Sequence, residues 1–182
     1  MLQQSLIQTP DLGLWRLLKA ASFSAVTSLA LTGLNGNLSH FWKLMIEFNL
    51  WDQAADNKAR MRFNNDSGAN YQGGDVGMAY DPSSNNAANN RFTGYTYIAI
   101  SVVGWNNPAQ SLIDMTIAPK SGKYRTVNWL DTMRRTNSDN YGHAMEGGFV
   151  WRNSADNIIS INFDFLTYAM TGKMWLFETL PA

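Results

Sequence analysis

Between Trp42 and Leu50 the chain alternates almost without a break: Trp42, Leu44, Ile46, Phe48 and Leu50 are apolar, while Lys43, Glu47 and Asn49 between them are polar. Successive side chains of a β-strand point to opposite faces, so a period of two marks a strand with one face in a core and the other in water. A helix would space its apolar residues three and four apart. A strand of this kind needs other strands to cover its apolar face, and the rest of the chain supplies them. Met61 and Phe63 alternate with Arg60 and Arg62; Ile98, Ile100 and Val102 share one face; Ile159, Ile161, Phe163 and Phe165 alternate with Ser160, Asn162 and Asp164.

Further strands are expected over 14–20, 23–32, 111–118, 123–131, 143–152 and 172–178, separated by turn signals such as Asn35-Gly36 and Pro119-Lys120-Ser121-Gly122. The turn at 64–68 is rich in Asn, Asp and Ser, which hydrogen-bond their own backbone, and Gly68 is expected to supply a positive φ. Residues 72–90 pass through Gly73-Gly74, Asp81-Pro82 and a run of Ser, Asn and Ala, and read as a long exposed loop, with 83–90 on the outward, solvent face. About ten short strands and no convincing helix predict an all-β protein, an antiparallel β-sandwich that is jelly-roll-like. The expected organisation is a single sandwich domain over 14–182, preceded by an extended N-terminal arm over 1–13. Leu2, Leu6, Ile7, Leu12 and Leu14 make that arm apolar enough to dock on a partner.

A chain of 182 residues is long enough to bury one core. It contains no cysteine, which excludes disulfides, thiolate metal sites and a cysteine nucleophile. Fourteen basic and fourteen acidic residues balance, so no overall field draws the protein to nucleic acid or to an anionic membrane. Charged residues make up only 15% of the chain against 13% aromatics. Its polar surface must therefore be built mainly from Asn, Ser, Thr and Gly, which suits a protein in contact with neighbours. The first residues lack the pattern of a secretory signal and no apolar run is long enough to cross a bilayer, so synthesis in the cytoplasm is expected.

Catalytic signatures are sparse. His40 and His143 lie far apart, and neither shows a zinc-ligand spacing. Asn64, Asp66 and Asn70 offer oxygen to a calcium ion, but a single carboxylate in that loop favours a self-satisfied Asx turn. Asp114, Asp131, Glu146 and Asp164 fall on predicted strands without a spacing that pairs them for glycoside hydrolysis. Trp51, Trp105, Trp129 and Trp151 stand near strand ends or beside Asn and Asp, the setting in which an indole face stacks on a sugar ring, and are the candidate glycan-binding residues. No enzyme, cofactor or metal is expected.

The stretch Arg60-Met61-Arg62-Phe63-Asn64-Asn65-Asp66-Ser67-Gly68-Ala69-Asn70-Tyr71 resembles a recurring pattern in small β-sandwich proteins of tailed-phage virions. Trp15-Arg16-Leu17-Leu18 with the strand after it, the strand over 40–50 and Gly172-Lys173-Met174-Trp175-Leu176-Phe177 agree in order. The resemblance implies a capsid decoration, or cement, protein on the virion surface: a homotrimer that binds the major capsid protein and stabilises the lattice. The alternative it implies is a tail-fibre or receptor-binding domain that recognises host surface carbohydrate.

Overall fold

The computed structural model describes residues 15–50, 58–81, 84–101, 109–135, 142–166 and 169–179. They form twelve strands and one short 3-10 turn, Gly36–Leu38. The strands are β1 (Arg16–Val26), β2 (Ser28–Thr32), β3 (Trp42–Leu50), β4 (Lys58–Phe63), β5 (Tyr71–Asp81), β6 (Ser84–Tyr95), β7 (Ile98–Ser101), β8 (Ala109–Ile117), β9 (Arg125–Arg135), β10 (Gly142–Trp151), β11 (Ser160–Asp164) and β12 (Met170–Glu178). They build an antiparallel sandwich. One sheet has the order β1-β12-β3-β8-β9-β10-β5-β6, the other β2-β11-β4-β7. Only β5 to β6, β8 to β9 and β9 to β10 stay within a sheet; every other connection crosses from one sheet to the other.

The alternation read in the sequence is what closes the core. Trp42, Leu44, Ile46 and Phe48 of β3 are fully buried, as are Met61 and Phe63 of β4 and Ile161 of β11. Each such side chain contributes roughly 1.5–3 kcal/mol relative to exposure. Aromatic rings bridge the sheets. Phe48 meets Phe165 edge-on at 5.4 Å and Phe23 at 5.9 Å, and Phe163 stacks on Phe165 at 6.3 Å. Beyond them, Phe63 of the small sheet lies 5.3 Å from Trp151 of the large one. The first and last strands pair along most of their length, and the buried Glu178 carboxylate accepts hydrogen bonds from Arg16 and from Ser39 ahead of β3.

Three expectations need correction. Residues 23–32 are not one strand: the chain leaves the large sheet after Val26, bends at Thr27 and enters the small sheet at Ser28. A register shift between Phe23 and Val26, with Ala25 at φ 53°, makes the corner. Crossing there lets Phe23 and Leu31 reach the core from opposite sheets. The expected loop over 72–90 is, in its described residues, the hairpin of β5 and β6, so the proposed outward loop over 83–90 is instead, from Ser84 onward, the outermost strand of the large sheet. Backbone pairing along β5 supplies hydrogen bonds that an Asn- and Ala-rich composition does not advertise. Gly68 is not the left-handed residue of the β4–β5 turn; Asn64 and Asn65 are, at φ 51° and 55°. Asparagine tolerates that conformation because its side chain hydrogen-bonds locally. The N-terminal arm, with Leu2, Leu6, Ile7, Leu12 and Leu14, lies outside the described residues.

Candidate functional site

Of the four tryptophans singled out for glycan, Trp51 and Trp105 lie outside the described residues. The other two are not platforms. Trp129 is 3% exposed and Trp151 0%. Inward positions of β9 and β10 are the odd ones, so Trp129 joins Val127 inside and Trp151 joins Phe149. Trp151 is held on every side: its Nε1 donates to Asp66 Oδ2 at 2.7 Å, Tyr71 stacks on its ring at 6.5 Å, and the Arg125 guanidinium sits 5.0 Å from the ring centre. Trp129 lies across Gly147, where a Cβ would stand 2.5 Å from its Nε1.

The Asx-rich turn between β4 and β5 is spent on the fold. Asp66 accepts from the Gly68 N–H at 2.8 Å, from Asn70 Nδ2 at 2.9 Å and from Trp151. Burial alone would raise its carboxyl; the bonds from Trp151, Asn70 and Gly68 outweigh that and hold it below the usual carboxylate value. Asn64 bridges to the β10–β11 segment, accepting from Ile159 N–H at 2.8 Å and donating to Asn157 O at 2.8 Å. Tyr71 Oη accepts from Phe63 N–H at 3.0 Å, and burial pushes its phenol well above the usual value. Among the described residues no three or more His, Cys, Asp or Glu side chains are grouped to hold a metal ion. The strand carboxylates do not converge: Asp131 is buried and accepts from Ser111 Oγ at 2.5 Å, Asp164 belongs to the small sheet, and Asp114, which pairs with Lys43 at 2.8 Å, is separated from Glu146 by Leu130.

Two outward faces remain. On the large sheet the register sets Trp175, Met45, Asp114, Leu130, Glu146 and Val76 in one line across six strands, about 24 Å at the usual strand spacing. Leu130 is 47% exposed, Val76 51%, and Leu112 nearby 44%. The next line runs through Asn128, Gly148, Gly74 and Arg91. Where the two lines meet, the side-chain-free Gly74 and Gly148 floor an open groove of about 630 Å³, rimmed by Arg91, Asn128, Glu146 and Val76. On the small sheet, a groove of about 480 Å³ crosses β2, β11 and β4 and is lined chiefly by polar groups. Sequence reasoning overlooked both. The signal for the first was apolar residues, Leu112, Leu130 and Trp175, sitting out of phase with the core positions of their own strands.

The chain matches no protein-family model and no curated protein.

Proposed function

We propose that this protein works by binding rather than by catalysis, as a jelly-roll decoration protein on the outer capsid of a tailed phage. The carrying observation is the outward face of the large sheet. An antiparallel sheet with one solvated face ordinarily shows water polar side chains, and a monomer seldom exposes apolar residues in a continuous band. Here Trp175, Met45, Leu130 and Val76 take outward positions in one line, with Asp114 and Glu146 on either side of Leu130. A broad face that mixes exposed apolar side chains with a few charges fits a protein partner better than a small molecule.

Two further features support the reading. With the β5–β6 hairpin and strands β9 and β10 set aside, the orders β1-β12-β3-β8 and β2-β11-β4-β7 follow the double Greek key of a jelly roll, an architecture that recurs in capsid and lectin domains. The sheet edges support self-association. β2 and β7 are short, and β1 carries Arg16, Lys19 and two register shifts, all devices that protect an edge. β6 is twelve residues long, and from Ser84 to Asn90 it has no charge and no proline. Homotrimers on repeated lattice sites, bound to the major capsid protein, would need only modest contacts at each site, because multivalency sums them.

The test is stoichiometry: this chain quantified against the major capsid protein in purified particles. A ratio close to one to one is expected. A few copies per particle would overturn the decoration reading and favour the second one, a receptor-binding or tail-fibre domain, which the polar groove of the small sheet supports.

A further inference from the structure

We propose that the outward groove of the small sheet is a saccharide-binding subsite that takes a sugar through Arg62, Asn162 and Asp164. The register brings these residues together: Asn162 of β11 stands between Ala30 of β2 and Arg62 of β4, and Asp164 between Ser28 of β2 and Arg60 of β4. Each of the three side chains is fixed from behind by part of its hydrogen-bonding capacity. Asn162 Oδ1 accepts from Asn65 N–H and from Ser160 Oγ, both at 3.0 Å, which leaves its Nδ2 as a donor. Asp164 Oδ1 accepts from Leu166 N–H at 2.8 Å, leaving Oδ2. Arg62 Nε donates to Thr96 O at 3.0 Å, and its guanidinium lies 5.9 Å from the Tyr97 ring, leaving the two terminal nitrogens.

The remaining groups match a diol. Arg62 Nη1 and Asp164 Oδ2 are 3.9 Å apart, too far for a good mutual hydrogen bond, so each keeps capacity for a hydroxyl placed between them. A sugar hydroxyl both donates and accepts, and so can serve the carboxylate and the guanidinium together. The exposed Ala30 keeps the floor low, and a groove of about 480 Å³ is within the usual range for a small-molecule site. Arg62 and Asp164 offset one another within the groove, and Arg60, opposite Asp164 in the register, lies with its guanidinium 4.6 Å from the Tyr97 ring, outside the groove lining. The polar lining offers little to an apolar protein surface. Because the three groups are already oriented, a ligand loses little in ordering them. Neither Trp129 nor Trp151 lines the groove.

The inference deepens the receptor-binding reading and does not rest on the capsid one; a sugar can bind this groove at either particle stoichiometry, so the two tests fail separately. It is tested by saturation-transfer NMR on the whole chain with the methyl glycosides of glucose, galactose, mannose and N-acetylglucosamine, followed by titration of whichever responds. Binding at millimolar concentration or tighter is expected, with at least a tenfold loss in Asn162→Ala. Ala30→Leu fills the groove without touching the hydrogen-bond network, and should abolish binding with thermal stability unchanged. Absence of transfer from all four glycosides, or binding that survives Ala30→Leu, overturns the proposal.

Discussion

The two outward faces share one strand geometry and differ in how much apolar surface they show. On the large sheet, apolar residues take positions where water-facing polar residues are usual, and glycines leave a shallow trough among them. On the small sheet, the corresponding positions hold Arg62, Asn162 and Asp164, each already hydrogen-bonded to its own framework. A broad surface with scattered apolar side chains gains most from a partner large enough to cover it, whereas an oriented polar set gains most from a ligand small enough to reach all of it. That difference is why the two proposals give the large sheet a macromolecular partner and the small sheet a sugar.

Adjacent glycines give the sharpest test of whether the large sheet is open on the outside. In β10, Gly147 faces inward, where a Cβ would stand 2.5–2.7 Å from three atoms of the Trp129 indole. Gly148 faces outward, and the nearest atom to its Cβ position is Asn128 Oδ1, at 3.3 Å on a side chain that can move. Neither has a positive φ, so any difference comes from packing. Gly147→Ala should cost about 1–3 kcal/mol by overpacking. Gly148→Ala should be neutral, or stabilise by about 0.5 kcal/mol through loss of unfolded-state entropy. Urea midpoints of the two variants decide it. Equal losses would mean that the outward face is packed, and the contrast between the sheets would fail.

Much of this was legible from spacing alone. The phase of Trp42, Leu44, Ile46 and Phe48 made β3 a strand, and Met61 with Phe63 did the same for β4, because burial on one face imposes a period of two. The phases of Val127 with Trp129, and of Phe149 with Trp151, also put both indoles inside, although each has a polar residue beside it in sequence. Other parts had no side-chain signal. β6 pairs through its backbone along a glycine-bearing partner, and the sheet switch at Thr27 depends on a backbone bend that Ser, Ala and Val do not announce. The small-sheet groove depends on which strands become neighbours, since Ala30, Arg62 and Asn162 are brought together only by sheet order.

A second test charges each face in turn. Leu130 stands in register between Asp114 and Glu146, so a lysine there has a carboxylate on either side and should change stability by less than about 0.5 kcal/mol. Leu130→Lys should nonetheless lower particle occupancy roughly tenfold, equivalent to about 1.4 kcal/mol of docking energy. Thr32→Lys, on the exposed face of β2, should leave occupancy unchanged. If the threonine variant costs as much as the leucine one, the large sheet is not the docking face.

The smallest effect concerns the turn that joins the sheets. Asp66 follows β4 of the small sheet, precedes β5 of the large one, and accepts the indole N–H of the buried Trp151. Its carboxyl is held below its ordinary value of 3.8, so the folded state favours the ionised form. The stabilisation is thus fully present above that ordinary value, and is lost as pH falls through the lower folded one. Asp66→Asn removes the charge-assisted bonds, at a cost of about 1 kcal/mol at neutral pH. The gap in thermal midpoint between wild type and this variant should stay constant from about pH 7 to about pH 5, then narrow below the ordinary value. Since the turn serves both sheets, acid should weaken sugar binding and particle docking together as the fold loosens. Loss of one activity at a pH where the other is intact would show that the two faces do not share this support, and that one of them rests on a titrating group of its own.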